Sequence, residues 1–200
     1  MEFIDLILYF VVYSFMGWLM ETAFAGVIER EFVNRGFLIG PFCPIYGFGA
    51  VLIILCSAWL RGFFENNLTF LIISIIMAIV LTTLLEMIVG AMLEKLMNRK
   101  WWDYGDKLLN FHGYICLQYS LLWGVLAFLT IEVIHPSILI LALAIPLKMK
   151  ILATIIVLLY FFIDTTKSVM SLVDLKKAVL KNSSIWDNKY FEKVANYLNL

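Results

Sequence analysis

Apolar residues fill five long stretches of this chain, separated by short polar clusters. A bilayer core of roughly 30 Å needs about 20 helical residues to cross it. The stretches run from about Phe3 to Ile28, Gly40 to Leu60, Leu68 to Leu93, Gly113 to Ile134 and Ile151 to Val173. Inside lipid every backbone polar group needs a partner within its own segment, so each stretch is predicted to be a helix. The segment from Leu175 to Leu200 is different. It is polar and lysine-bearing, with Trp186, Tyr190, Phe191, Val194 and Leu198 at helical spacing and Asn182-Ser183-Ser184 able to cap them. It is predicted to be an amphipathic cytoplasmic helix on the headgroups or on the bundle itself, with docking of a partner protein as the alternative. The expected fold is thus an all-α integral membrane protein. Residues 1–174 form a five-helix transmembrane bundle and 175–200 an amphipathic tail.

Composition strengthens this picture. Of the 200 residues 63% are hydrophobic and only 15% charged, and the mean hydropathy is +0.94. A soluble domain carries about 25% charge and about 45–50% apolar residues, and disorder requires low hydrophobicity with high net charge. Both are excluded. The net charge of zero offers no basic excess for nucleic acid. Cys43, Cys56 and Cys116 are too few for a disulfide framework. Met-Glu-Phe-Ile-Asp lacks the positive start of a cleavable signal, so the first span is expected to remain in the mature protein.

Lysine and arginine placement predicts orientation. With the N-terminus outside and the C-terminus in the cytoplasm of a cell membrane, only Arg61, Lys148 and Lys150 of the 15 cationic residues lie outside.

Two parts of the chain resemble each other. Glu21, Glu29-Arg30 and Asn34-Arg35 recur at the same spacing as Glu86, Glu94-Lys95 and Asn98-Arg99. Each set is followed by a G-x-x-C-x-x-Y-[GS] block, at Gly40–Gly47 and Gly113–Ser120. The second copy carries an insertion around Trp101–Asp106. The pattern predicts two parallel helical-hairpin repeats, about 3–60 and 68–134, plus a fifth span at about 151–173. Parallel repeats are commonly related by an axis along the membrane normal, with sites at their interface. Chance similarity between two apolar hairpins is the bland alternative.

Glu21 and Glu86 are each the nineteenth residue of their span, so both lie roughly 27 Å from its outer end. An ionisable group at that depth is costly unless paired or hydrated, which makes it a candidate site. Thr82, Glu86, Gly90 and Glu94 share one face of span three. Gly17, Glu21 and Ala25 share one of span one, and Cys116, Ser120 and Gly124 one of span four. Tight packing of small-residue seams is the structural alternative. The apolar but glycine- and proline-rich run from Asn34 to Gly49 predicts a short re-entrant or broken-helix element, unless Pro41 simply opens span two.

The candidate ligand-binding residues are Glu21, Asn34, Arg35, Cys43, Tyr46, Glu86, Glu94, Asp103, Asn110 and Cys116. Together they would line a cytoplasm-facing polar pocket. Arg35 suits a phosphate or carboxylate and is expected to reach one of the glutamates. Asp164 and Lys167, at i and i+3, are expected to pair with each other, with a coupling-ion or proton role for Asp164 as the alternative. His135 before Pro136 is read as the outer end of span four. No metal or cofactor is expected: Cys43, Cys116 and His112 lack a metal-ligand spacing, and no Walker A, G-x-S-x-G or H-E-x-x-H motif occurs.

Gly17-Trp18-x-x-Glu21, the block Asn34-Arg35-Gly36-Phe37-Leu38-x-Gly40-Pro41-x-Cys43-Pro44-Ile45-Tyr46-Gly47, Trp102-Asp103-Tyr104, Gly113–Leu117 and Trp123-Gly124 resemble the CmpB-like membrane proteins. These are multi-pass bacterial proteins labelled "putative ABC-transporter type IV", with eukaryotic relatives of unknown role. The resemblance covers roughly residues 10–125. It implies a membrane protein in which those positions matter. His112-Gly113 stands where the family's Asn-Gly is expected.

Three functions fit. The repeats favour a transporter or permease component for a small polar or anionic solute. The acids with Arg35 and Asn110 would also suit an intramembrane enzyme acting on a lipid headgroup or polyprenyl carrier. The small size suits a non-catalytic partner subunit. The expected partners are the lipid bilayer, a second copy or another membrane subunit, and a polar solute or lipid headgroup.

Overall fold

The computed structural model describes residues 2–32, 34, 36–97 and 100–181. Arg35, with its predicted approach to a glutamate, lies outside the described residues, as do Arg99 and residues 182–200 of the predicted tail. The chain is all-helical: α1 (Phe3–Glu29), α2 (Pro44–Leu60), α3 (Asn67–Met97), α4 (Leu117–Leu129), a π turn (Thr130–Ile134), α5 (His135–Ala144) and α6 (Leu147–Lys181). Among the described residues there is no strand, only an isolated bridge between Phe111 and Ile115. Among the described residues, three helices are long and apolar enough to cross a membrane: Phe3–Glu29, Asn67–Leu96 and the continuous Leu117–Ala144.

The surface of α3 explains why these residues belong in lipid. From Ser74 onward, beyond the buried Phe70, its buried stripe is small or polar: Ser74, Ala78, Thr82, Glu86 and Gly90. Its exposed stripe is wholly apolar: Ile72, Ile76, Val80, Leu84, Ile88, Met92 and Leu96. Both recur every fourth residue, one helix face each. In water this arrangement would be inside out. In a bilayer the large side chains meet lipid, and the small ones let helices approach closely. Thr82 satisfies its hydroxyl on the Ala78 carbonyl one turn back, at 2.7 Å.

Two boundaries differ from the sequence reading. The second helix starts at Pro44, not Gly40, and Pro44 rather than Pro41 occupies its first turn. The fourth starts at Leu117, because His112 and Gly113 both have positive φ, and it does not end at His135. His135 N–H instead reaches the Thr130 carbonyl, five residues back. This π turn carries the helix past Pro136, which has no N–H to place, and on to Ala144.

α1, α3 and α6 start at the same end of the bundle. Lys150 near the start of α6 donates to Asp5 near the start of α1 at 2.8 Å, with side chains only 10% and 16% exposed. Breaking a buried pair from one side strands the other charge, at a cost of about 3–5 kcal/mol. Lys150→Met should therefore lower thermal stability in detergent markedly. The double variant Asp5→Asn/Lys150→Met should recover most of the loss in the same melting assay.

Candidate functional site

The segment after α1 brings the chain back into the bundle without a helix. α1 closes at Arg30 in the left-handed conformation. By Cys43 the backbone N–H is bonded to the Ser14 carbonyl at 2.9 Å, roughly 22 Å back along α1 from Glu29. Irregular backbone at that depth needs protein partners, and it has them. Asn34 accepts from Trp18 Nε1 at 2.7 Å and from Gly36 N–H at 3.1 Å, and its amide donates to the Ile39 carbonyl at 3.0 Å. Ile39 N–H bonds Ser168 Oγ at 3.1 Å, and Gly40 N–H bonds the Asp164 carboxylate at 3.0 Å. Asp164 therefore does not serve Lys167, as its spacing suggested. It is 6% exposed and holds Gly40, while Lys167 is exposed. Gly40 sits so close that a Cβ would land on the Tyr160 hydroxyl and 2.7 Å from Asp164.

This seating aims α2 at the first glutamate. Cys43, in extended backbone, caps α2, and Tyr46 in its first turn donates its hydroxyl to Glu21 Oε1. Gly17 makes the room, since a Cβ there would fall on the Tyr46 ring. The Tyr46 ring then leans on Trp123, with centroids 5.3 Å apart. Trp123 Nε1 donates to Glu86 Oε2 at 3.2 Å, and Tyr104 donates to Glu86 Oε1 at 3.1 Å. Glu86 is 6% exposed, Glu21 is half-buried, and the two carboxylates lie within Coulombic reach of each other.

Tyr104 comes from the loop between α3 and α4, which is built to present it. His112-Gly113, both at positive φ, with Tyr114 N–H on the Phe111 carbonyl at 3.1 Å, has the pattern of a type I′ turn. Asn-Gly is the preferred pair for that turn, and His112 takes the asparagine's place in it. The turn docks on the start of the loop: Tyr104 N–H on the Gly113 carbonyl and Trp102 Nε1 on the Tyr114 carbonyl, both at 2.8 Å. Asp103 holds Lys100 at 3.2 Å and Gly105 N–H at 2.9 Å. Asn110 donates to the Lys107 carbonyl at 2.9 Å. Burial, with the Glu86 carboxylate beside it, pushes the Tyr104 hydroxyl above the ordinary phenol range. It thus remains a donor over the working pH range.

Of the ten candidate residues, Glu21, Tyr46 and Glu86 meet in one aromatic-lined cluster, with Cys43 and Cys116 as the helix caps at its edge. Glu94 lies two turns further along α3 and accepts from the Tyr114 hydroxyl. Asn34, Asp103 and Asn110 hold loops in place. The sequence places Tyr104, Tyr119 and Trp123 only within motifs and Asp164 beside Lys167; their partners, 15 to 124 residues away, leave no mark in it.

A family model described as "Putative ABC-transporter type IV" matches residues 8–169. No curated protein and no solved structure matches the chain.

Proposed function

The chain belongs to this family of CmpB-type membrane proteins, and from that membership we propose that it is a multi-pass transporter or permease component binding a small polar solute at the Glu21–Glu86 pair. The carrying observation is the nature of the partners. Among the described residues, both carboxylates are held by uncharged donors, Tyr46, Tyr104 and Trp123. Two carboxylates held by neutral donors favour a proton or a cationic group of a solute between them. The site therefore suits a cationic or zwitterionic solute, or a coupling proton, better than a purely anionic one.

The proposed repeat has support in the packing. Glu21 and Glu86 are 65 positions apart. Gly47 of α2 packs on Phe10 and Ser14; Gly124 of α4, one turn past Ser120, which matches Gly47 in the repeat, packs on Ile75 and Ile79, the positions 65 residues further on. Cys43 and Cys116 each cap the second helix of their hairpin in extended backbone. Tyr119, the counterpart of Tyr46, stacks on Tyr104 at 4.5 Å, and Tyr104 bonds the glutamate in its stead.

In this reading residues 1–174 are one bundle of five spans, with α2 and α6 completing the three long helices, and 175–200 are an amphipathic tail. The bundle sits in the cell membrane with its N-terminus outside, alone, as a homo-oligomer or beside a partner subunit. An impermeant maleimide should label Lys148→Cys in intact cells and Lys189→Cys only after permeabilisation. Labelling of position 189 in intact cells would reverse the orientation.

Proteoliposome uptake of methylammonium, glycine and phosphate tests the function. Uptake of methylammonium or glycine above empty vesicles, lost in Glu21→Gln/Glu86→Gln, is expected. Equal uptake of all three by the wild type and the double variant would contradict a solute site at the glutamates and leave the partner-subunit reading.

A further inference from the structure

The opposite end of the bundle holds a cavity of about 810 Å³ among the ends of α1, α2, α5 and α6 and the π turn. A second, of about 320 Å³, shares Arg61, Phe70 and Glu132 with it. Neither includes Glu21 or Glu86.

Three features mark the larger cavity as built for a ligand. First, it carries opposite charges that do not pair. The Arg61 guanidinium lies 3.9 Å from the Phe70 ring centre and gives one N–H to Asn67 at 2.8 Å. Glu132 has no hydrogen bond or ion pair among the described residues. Both side chains are exposed and line the cavity, so a guest there meets both signs. Second, the wall is distorted. The π turn Thr130–Ile134 carries Glu132 and delivers His135, both lining the cavity, and π turns concentrate at functional sites. Third, His135 Nδ1 is buried with no partner, its ring edge-on to Tyr9 at 4.8 Å. Such a group calls for an explanation, and a ligand is one. Lys150, 9% exposed, also faces this space. Asp5 takes one of its N–H bonds, and an ammonium has three.

We propose that this cavity binds a zwitterionic phospholipid head, its amine toward Glu132 and its phosphate toward Arg61 and Lys150, with the chains along Leu139 and Leu143. Arginine's planar fork matches a phosphate. A purely anionic head would meet Glu132 and a purely cationic one Arg61, and like charges in contact are strongly disfavoured. The head's ammonium hydrogens supply a donor for His135 Nδ1. The volume is that of a site for a molecule of this size. This site is separate from the Glu21–Glu86 pair and stands without the transport reading.

Native mass spectrometry of the full-length protein in detergent provides the test, with dioleoyl phosphatidylethanolamine, dioleoyl phosphatidylglycerol and free phosphoethanolamine as probes. The wild type should retain one phosphatidylethanolamine and bind phosphatidylglycerol about tenfold more weakly. Arg61→Gln should weaken phosphatidylethanolamine by about tenfold, and Glu132→Lys should reverse the preference toward phosphatidylglycerol. That reversal is a gain and cannot come from misfolding. Displacement of the lipid by an equal concentration of phosphoethanolamine would overturn the lipid assignment and make a free zwitterion the ligand. Equal retention of both lipids by the wild type, or an unchanged preference in a Glu132→Lys protein of normal melting temperature, would overturn the site.

Discussion

Glu86→Gln is expected to lower solute uptake in proteoliposomes by about 100-fold, equivalent to ~2.7 kcal/mol of lost stabilisation, with little change in melting temperature. The amide oxygen can take the place of Oε2 as acceptor for Trp123, and the amide NH2, in the place of Oε1, can donate to the Tyr104 hydroxyl, which turns to accept. The buried charge is gone, and replacing a costly buried charge is neutral or stabilising. Glu86→Ala separates the two roles. It leaves the Trp123 N–H and the Tyr104 hydroxyl without an acceptor, costing about 1–3 kcal/mol for each donor that stays buried, so it should lose both uptake and stability. A Gln variant that keeps full uptake but melts lower would mean that the carboxylate serves packing alone.

Gly40→Ala has the second large effect. Its Cβ would collide with the Tyr160 hydroxyl and crowd Asp164. The re-entrant segment would have to lift from α6, breaking the bonds from Gly40 and Ile39 to Asp164 and Ser168. Overpacking of this kind costs about 1–3 kcal/mol, and the shift would carry Cys43 and Tyr46 away from Glu21. Tyr160→Phe removes the nearest clashing atom, so Gly40→Ala/Tyr160→Phe should recover part of the loss in a thermal melt. Asp164→Asn, which keeps an acceptor for Gly40 N–H, should cost less than Asp164→Ala.

What the sequence could and could not reveal follows from the range of the interactions. The spans are legible because lipid demands long apolar runs, and Glu21 and Glu86 stand out because ionisable groups are rare in them. The buried stripe of α3 is legible from its four-residue spacing alone. The run of glycines and prolines after Asn34 announces an irregular element. Its clamp does not, because Asp164 meets Gly40 across 124 positions. The local Lys167 was the more obvious partner for that carboxylate, and it is not the one used. The end of the fourth helix was misplaced for a related reason: Pro136 normally breaks an α-helix, and only the π turn carries the chain past it. Tyr104 reaches Glu86 through a loop whose turn is set by two positive-φ residues, a property that His112 does not advertise.

The central claim is that Glu21 and Glu86, from α1 and α3, act as one site. A double-variant cycle on uptake of whichever probe the wild type carries best tests it most directly. Glu21→Gln, Glu86→Gln and the pair should be strongly non-additive, the double variant being little worse than Glu86→Gln alone, because groups that act as a unit are lost together. Losses that multiply, as for independent positions, would contradict the claim.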